Sequence, residues 1–106
     1  MAQPAEKYDV FQAIADSTRR DILQLLTKGD QPIAAISAQF PMSRTAVVKH
    51  LTVLEQACLV ATEKKGREKI YTLHVEGLKE VEDWLQYFEL FWDNKLSQLQ
   101  RLVEEP

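Results

Sequence analysis

The chain has 106 residues, 45% hydrophobic and 27% charged, which predicts one globular domain over residues 1–106. No run of about 18 apolar residues occurs, which excludes a transmembrane helix, and the start MAQPAEKYDVFQ lacks the basic and apolar segments of a signal peptide. The single cysteine, Cys58, excludes an internal disulfide framework and indicates a reducing cytoplasm.

Charge is sorted along the chain, so the net charge of −3 is a poor guide to partners. Residues 43–75 carry six basic and three acidic side chains. Residues 76–106 carry three basic and eight acidic side chains. An anionic partner is therefore expected at the middle third, away from the acidic C-terminal third.

Three helices are predicted in the first 40 residues. The first covers residues 7–15, where apolar side chains recur at helical spacing. The second begins at a cluster of capping residues, in which Thr18 and Asp21 fit the spacing of a capping box, and Gly29 ends it. The third and shortest, IAAISAQF at residues 33–40, lies between two prolines.

A fourth helix runs from the capping residue Ser43 to about Gln56. At 100° per residue its side chains divide into two arcs. The arc predicted to face the core contains Ala46, Val47, His50, Leu51, Val53 and Leu54. The arc predicted to face outward is polar except for one valine and contains Arg44, Thr45, Val48, Lys49, Thr52, Glu55 and Gln56.

The helical period then gives way to a predicted β-hairpin. The segments LVATEK and EKIYTL are rich in β-forming residues, and they flank the turn Lys65-Gly66-Arg67. The hairpin therefore has a basic tip.

A long helix is predicted over residues 76–103, about 42 Å at ~1.5 Å per residue. That length exceeds the ~13 Å radius of gyration of a compact domain of about 100 residues. Its main apolar stripe runs from residue 78 to 102, and a second strip comprises Trp84, Tyr87 and Phe91. One small core cannot cover both, so a second copy of the chain is the expected partner.

The predicted order, α-α-α-α-β-β-α, is that of a mainly helical α+β winged helix-turn-helix. The third and fourth helices form the helix-turn-helix pair. In this arrangement the second helix of the pair, the fourth helix, enters the major groove by its N-terminal end. The predicted contacts of this helix with double-stranded DNA are Ser43, Arg44, Thr45, Val48, Lys49 and His50. The predicted contacts of the wing, with phosphates or a minor groove, are Lys64, Lys65 and Arg67.

Three motifs, ADSTRRDILQLL, MSRTAVVKHLTVLEQACLV and GREKIYTL, resemble those of the ArsR-type winged-helix transcriptional repressors. The tail WLQYFELFWDNKLSQL resembles a branch with an aromatic-rich last helix and no metal site. The resemblance implies a homodimer that represses transcription from an inverted-repeat operator and leaves it on a signal. It implies a dimer interface built by the first and last helices, here Tyr8, Phe11, Trp84, Leu85, Phe88, Phe91, Trp92, Leu96 and Leu99.

The chain departs from the family pattern at two positions. Val48 stands where the family usually has a serine, which replaces a polar DNA contact by an apolar one. Cys58 stands where the helix usually ends in glycine, so a left-handed backbone there would be strained, or the helix ends differently.

Several residues have an alternative interpretation. His50 lies within the apolar arc and is expected to be a hydrogen-bonded, half-buried scaffold residue, with a phosphate contact as the alternative. His74 is expected to be structural or exposed. Cys58 is expected to be a small buried hydrophobe, with a redox switch as the alternative.

No metal site, cofactor or enzymatic activity is predicted. The third helix has no cysteine, and the last helix has Asp83 and Asp93 but no histidine, so the ligand sets of the metal-sensing branches are missing. The chain also lacks a glycine-rich phosphate loop and an activated nucleophile.

The aromatic last helix leaves two other possibilities open. A small-molecule inducer could bind between subunits among Trp84, Tyr87, Phe88, Phe91 and Trp92. Alternatively, the chain is a winged-helix protein-interaction module that binds a partner protein through this helix and does not touch DNA.

Overall fold

The computed structural model describes residues 8–104. Its helices are α1 (Val10–Ala13), α2 (Ser17–Leu26), α3 (Ile33–Ser37), α4 (Arg44–Gln56) and α5 (Lys79–Glu104). Its strands are β1 (Gln31–Pro32), β2 (Val60–Lys65) and β3 (Glu68–Leu73), and a 3-10 turn (Val75–Leu78) leads into α5. The mainly helical winged helix-turn-helix predicted from the sequence is confirmed.

The sheet has three antiparallel strands in the order β1-β3-β2, one more than the predicted hairpin. Thr62 of β2 pairs with Tyr71 of β3, and Gln31 of β1 pairs with the other side of Tyr71. The wing turn contains Gly66 at a φ of 64°, a left-handed conformation that glycine adopts without strain. Strand β3 is thus central and β2 is an edge strand.

The first two helices begin at aspartates. Asp9 and Gln12 form a capping box at the start of α1. This helix is shorter than the predicted helix over residues 7–15, of which residue 7 lies outside the described residues. Asp16 caps α2 by accepting a hydrogen bond from the backbone N–H of Arg19 at 3.1 Å. The predicted capping box of Thr18 with Asp21 is therefore wrong, because Asp16 already accepts from the first turn.

Helix α3 ends at Ser37, three residues earlier than predicted. Beyond it, the N–H groups of Gln39 and Phe40 donate to carbonyls three residues back, at 3.0 and 3.3 Å, which tightens the chain into turns. Pro41 then disfavours a helical backbone at the residue before it. As a result, the connection to α4 spans residues 38–43.

The core lies where α2, α3 and α4 meet the start of β2. Its largest fully buried side chains are Ile22, Ile36, Val47, Leu51, Leu54 and Leu59. Each such side chain contributes on the order of 1.5–3 kcal/mol by leaving water. This packing fixes α4 by one face and leaves its opposite face to solvent.

Helix α5 begins three residues later than predicted, because the chain first makes the 3-10 turn, and it has no buried residue. It gives the chain a radius of gyration of 18.9 Å and a longest dimension of 69 Å. The radius exceeds the ~13 Å of a compact chain of about 100 residues. Within residues 8–104, no helix is both long enough and apolar enough to cross a membrane.

Candidate nucleic-acid interface

Helix α4 begins at Ser43, whose Oγ accepts a hydrogen bond from the backbone N–H of Ala46 at 3.1 Å, as the sequence predicted. The division of the helix into two arcs is also confirmed. The inner arc buries Val47, Leu51 and Leu54, and the side chains of Ala46, His50 and Val53 at its margin are partly buried. All seven residues of the predicted outward arc are exposed, including Val48 at 37%.

The outward arc has a centre and a margin that faces the wing. At 100° per residue, Thr45, Lys49 and Gln56 point most directly away from the buried residues, and Thr52 lies next to them. Arg44, Val48 and Glu55 lie at the margin, where Glu55 accepts a hydrogen bond from the Thr62 hydroxyl of β2 at 3.4 Å. Thr52 was absent from the predicted contacts, although its position on the arc was evident from the sequence.

The predicted wing residues Lys64, Lys65 and Arg67 are all exposed. In the register of the hairpin, Lys65 of β2 lies opposite Glu68 of β3, and Lys64 lies opposite Lys69. Lys69 was not predicted as a contact. Its Nζ lies 5.6 Å from the centre of the Tyr71 ring, on the inner side of the wing.

His50 faces α2. Its Nδ1 lies 3.2 Å from Nη1 of Arg19. A guanidinium only donates, so Nδ1 accepts and the proton of the neutral ring is on Nε2. Arg19 also donates from Nε to the carbonyl of Ala13 at 2.7 Å and from Nη2 to that of Gln12 at 3.3 Å. The expectation of a hydrogen-bonded, partly buried histidine is confirmed, and the bond ties α4 to the end of α1.

Asp16 completes this cluster. Its Oδ2 lies 3.8 Å from Nδ1 of His50. The hydrogen bond from the backbone N–H of Arg19 is the main reason that the pKa of Asp16 lies below its ordinary value, and the charge of the Arg19 guanidinium acts in the same direction. The carboxylate form is therefore favoured at the start of α2, where it also complements the helix dipole.

The predicted dimer residues form an exposed apolar surface. Phe11 of α1 contacts Trp84 of α5 edge-to-face at 5.6 Å, and Trp84 contacts Phe88 at 5.1 Å. Tyr8 is 40% exposed, and the exposed fractions of the others on α5 are 37–61%, for Trp84, Leu85, Phe88, Phe91, Trp92, Leu96 and Leu99. Helix α1 therefore covers part of this surface, through the contact of Phe11 with Trp84.

Cys58 lies at the end of α4 with a left-handed φ of 64°, the strained conformation that the sequence suggested. The expectation that it is buried is wrong, because this backbone turns its side chain to solvent. Its carbonyl accepts a hydrogen bond from Nδ1 of His74 at 3.0 Å. A Cβ at Gly77 would collide with the same carbonyl and lie 3.0 Å from Cδ2 of Leu59.

The exposed His74 also approaches Oε1 of Glu76 with its Nε2, at 3.4 Å. Among residues 8–104, no group of three or more His, Cys, Asp or Glu residues could hold a metal ion.

Comparison with known proteins gives consistent matches. Residues 14–63 match a family model described as a helix-turn-helix domain. The transcriptional repressor SdpR of Bacillus subtilis is 36% identical over 88 residues, which are 83% of this chain and 98% of SdpR. The HTH-type transcriptional regulator Rv2034 of Mycobacterium tuberculosis is 34% identical over 94 residues, which are 89% of this chain and 85% of that protein.

Solved structures agree. An ArsR family transcriptional regulator superposes with a TM-score of 0.72 at 31% identity, over 88% of this chain and 97% of the other. An ArsR-like transcriptional regulator from Rhodococcus sp. RHA1 superposes with a TM-score of 0.68 at 33% identity, over 96% of both chains.

The fold, the exposed face of α4 and these relatives define a DNA-binding transcriptional regulator of the winged helix-turn-helix class, and not an enzyme. The chain belongs to the ArsR-type family of such regulators.

Proposed function

We propose that the protein is a cytoplasmic repressor that binds an inverted-repeat operator as a homodimer. The observation that carries this proposal is that the outward arc of α4 and the inner side of the wing border one cleft, so both present cationic side chains to the same side. In the proposed complex the N-terminal half of α4 lies in the major groove. Thr45 and Lys49 read base edges there, and Lys64, Lys65 and Arg67 meet the backbone.

The apolar surface of α5 supports the homodimer. Side chains such as Leu85, Trp92 and Leu96 are 51–61% exposed in a single chain, and they continue beyond the reach of α1. A second copy that packs its α1 and α5 against this surface removes it from water. The two-fold axis then sets the two α4 helices about 34 Å apart, one turn of DNA.

Repression follows when the bound dimer occludes polymerase at an overlapping promoter. The name of the relative SdpR, a transcriptional repressor, supports this direction of control. Release requires a signal, for which a small molecule bound between the aromatic α5 helices is the simplest candidate. Neither a cofactor nor a metal takes part in the proposed cycle.

The test of DNA binding is selection from a random-sequence duplex pool at low salt. The wild-type protein should retain duplexes with two half-sites about 10–10.5 base pairs apart, related by inversion. Lys49→Ala should lose this binding, whereas Lys28→Ala, an exposed lysine at the end of α2, should keep it. Failure of the wild-type protein to enrich any sequence would contradict the proposed function.

The dimer is tested by sedimentation of the same protein. The expected mass is twice that of the 12.2 kDa chain. Leu96→Glu places a charge on the apolar stripe and should give monomers with weakened operator binding. Ser97→Glu adds the same charge on the opposite side of α5 and should leave the dimer intact. A monomeric wild type, or equal effects of the two variants, would exclude this interface.

The exposed second strip of α5 favours a second candidate, a protein-interaction module. Trp84, Tyr87 and Phe91 are 52%, 80% and 51% exposed. In that case a heterologous protein, in place of a second copy of the chain, covers α5. Enrichment of an inverted repeat together with a dimeric mass would exclude this candidate.

A further inference from the structure

A cleft of about 470 Å³ separates the start of α4 from the inner side of the wing. Arg44 and Val48 line it from α4, and Arg67, Glu68 and Lys69 line it from the wing turn and β3. Its remaining lining comes from the residues that precede and begin α3 and from Tyr71, which is 3% exposed and therefore fixed in the core. The floor is rigid, and the charged side chains stand on opposite walls.

The cleft carries an excess of positive charge. It holds three cations, Arg44, Arg67 and Lys69, against the single carboxylate of Glu68. Among residues 8–104, none of the three cations lies within 4.0 Å of a carboxylate oxygen. Lys69 is instead held over the Tyr71 ring, which keeps its ammonium group on the cleft side of β3. An anion between the two walls would therefore find cationic donors already in place.

The position of the cleft identifies the anion. In the proposed complex α4 occupies a major groove while the wing reaches the adjoining backbone or minor groove. The strand that separates the two grooves must then pass between α4 and the wing. Its phosphates are the anionic groups at that point, and phosphate contacts fix the register of a protein on DNA.

We propose that this cleft seats one phosphodiester of the DNA backbone in each half-site, with Arg44 on one wall and Lys69 on the other. The inference rests on the proposed DNA-binding function and deepens it. It adds Lys69 to the interface, and it changes the role of Arg44, which the sequence suggested as a reader of guanine. Arg44 becomes a phosphate contact, and base reading is left to Thr45 and Lys49 on the centre of the outward arc.

The test removes one phosphate charge at a time. Duplexes recovered by the wild-type selection are resynthesised with a neutral methylphosphonate at each successive linkage, and their affinities are measured for wild type, Lys69→Gln and Arg44→Gln. Wild type should lose about tenfold in affinity at one linkage per half-site. Each variant should bind the unmodified duplex at least tenfold more weakly than wild type, and should lose clearly less than tenfold at that same linkage because one of the two cations that face the phosphate is already gone. Lys28→Gln is the control and should show the full wild-type pattern.

Two further measurements separate the roles. The slope of log affinity against log salt should become shallower by about one per site for Lys69→Gln. The base preferences of Arg44→Gln, determined by repeating the selection, should match those of wild type. Equal thermal melting of the variants and wild type verifies that these surface substitutions leave the fold intact.

Several outcomes would overturn the inference while leaving DNA binding established. One is that wild type binds duplexes but Lys69→Gln loses, at every linkage, the same factor in affinity that wild type loses there. Another is a relaxed base preference at a single position in Arg44→Gln. Competition by inorganic phosphate at micromolar concentration, at constant ionic strength, would identify a free-phosphate site instead. By contrast, a wild type that retains no duplex would overturn the proposed function itself.

Discussion

Replacing Cys58 by glycine should stabilise the protein. A left-handed backbone such as the φ of 64° at Cys58 costs an L-residue about 1–2 kcal/mol, which glycine avoids. Glycine also gives the unfolded chain more freedom, which offsets about 0.4–1 kcal/mol of the gain. The thiol is exposed, so its loss removes little packing. We therefore expect a net gain of about 0.5–1 kcal/mol in the free energy of unfolding, or about 2–8 °C in Tm.

The assay is thermal and urea unfolding followed by circular dichroism at one fixed protein concentration, because self-association would make Tm depend on concentration. Cys58→Ala is the matched control, since it removes the thiol but keeps the Cβ and therefore the strain. Its Tm should stay close to that of wild type. If alanine stabilises as much as glycine, or if glycine lowers Tm, strain at this position is not what limits stability.

Two further substitutions probe the framework that holds α4. Gly77→Ala should lower the free energy of unfolding by about 1–3 kcal/mol in the same urea titration, because the added Cβ collides with the Cys58 carbonyl. An unchanged urea midpoint would contradict the close approach of Gly77 to that carbonyl. Asp16→Ala should cost about 1 kcal/mol at pH 7 through loss of the α2 cap. The folded pKa of Asp16 is depressed, so its stabilising effect is full above the unfolded pKa of about 3.9 and is lost as pH falls through the lower folded pKa. The stability difference between wild type and Asp16→Ala should thus be constant above about pH 5 and narrow in acid, whereas a gap independent of pH would refute the role of the carboxylate.

Periodicity alone was sufficient to predict α4 and its two faces. The buried Val47, Leu51 and Leu54 recur at helical spacing, and the face that they form is the one that packs against the core. The hairpin could also be predicted from the sequence, because β-forming residues flank a glycine at the turn.

Features that depend on tertiary pairing were not predicted. Strand β1 is only Gln31 and Pro32, which have no β-type pattern, and it forms because β3 offers a free edge beside it. The hydrogen bond between Arg19 and His50 joins residues that are 31 positions apart in the sequence, so no local pattern predicts it. Lys69 had a usable signal, since alternation along a strand puts it on the same face as Tyr71. The prediction considered only the charged tip of the wing.

The edge position of β2 has a consequence for the behaviour of the protein in concentrated solution. An edge strand presents unpaired backbone groups that can recruit a strand from another molecule, and charged side chains hinder such pairing. The outer half of β2 carries Glu63, Lys64 and Lys65, all exposed. The wing lysines thus protect the sheet from aggregation whether or not DNA is present. Replacing them by β-branched apolar residues would create an aggregation-prone edge and would also remove the proposed DNA contacts, whereas glutamine would remove the charge and keep the edge polar.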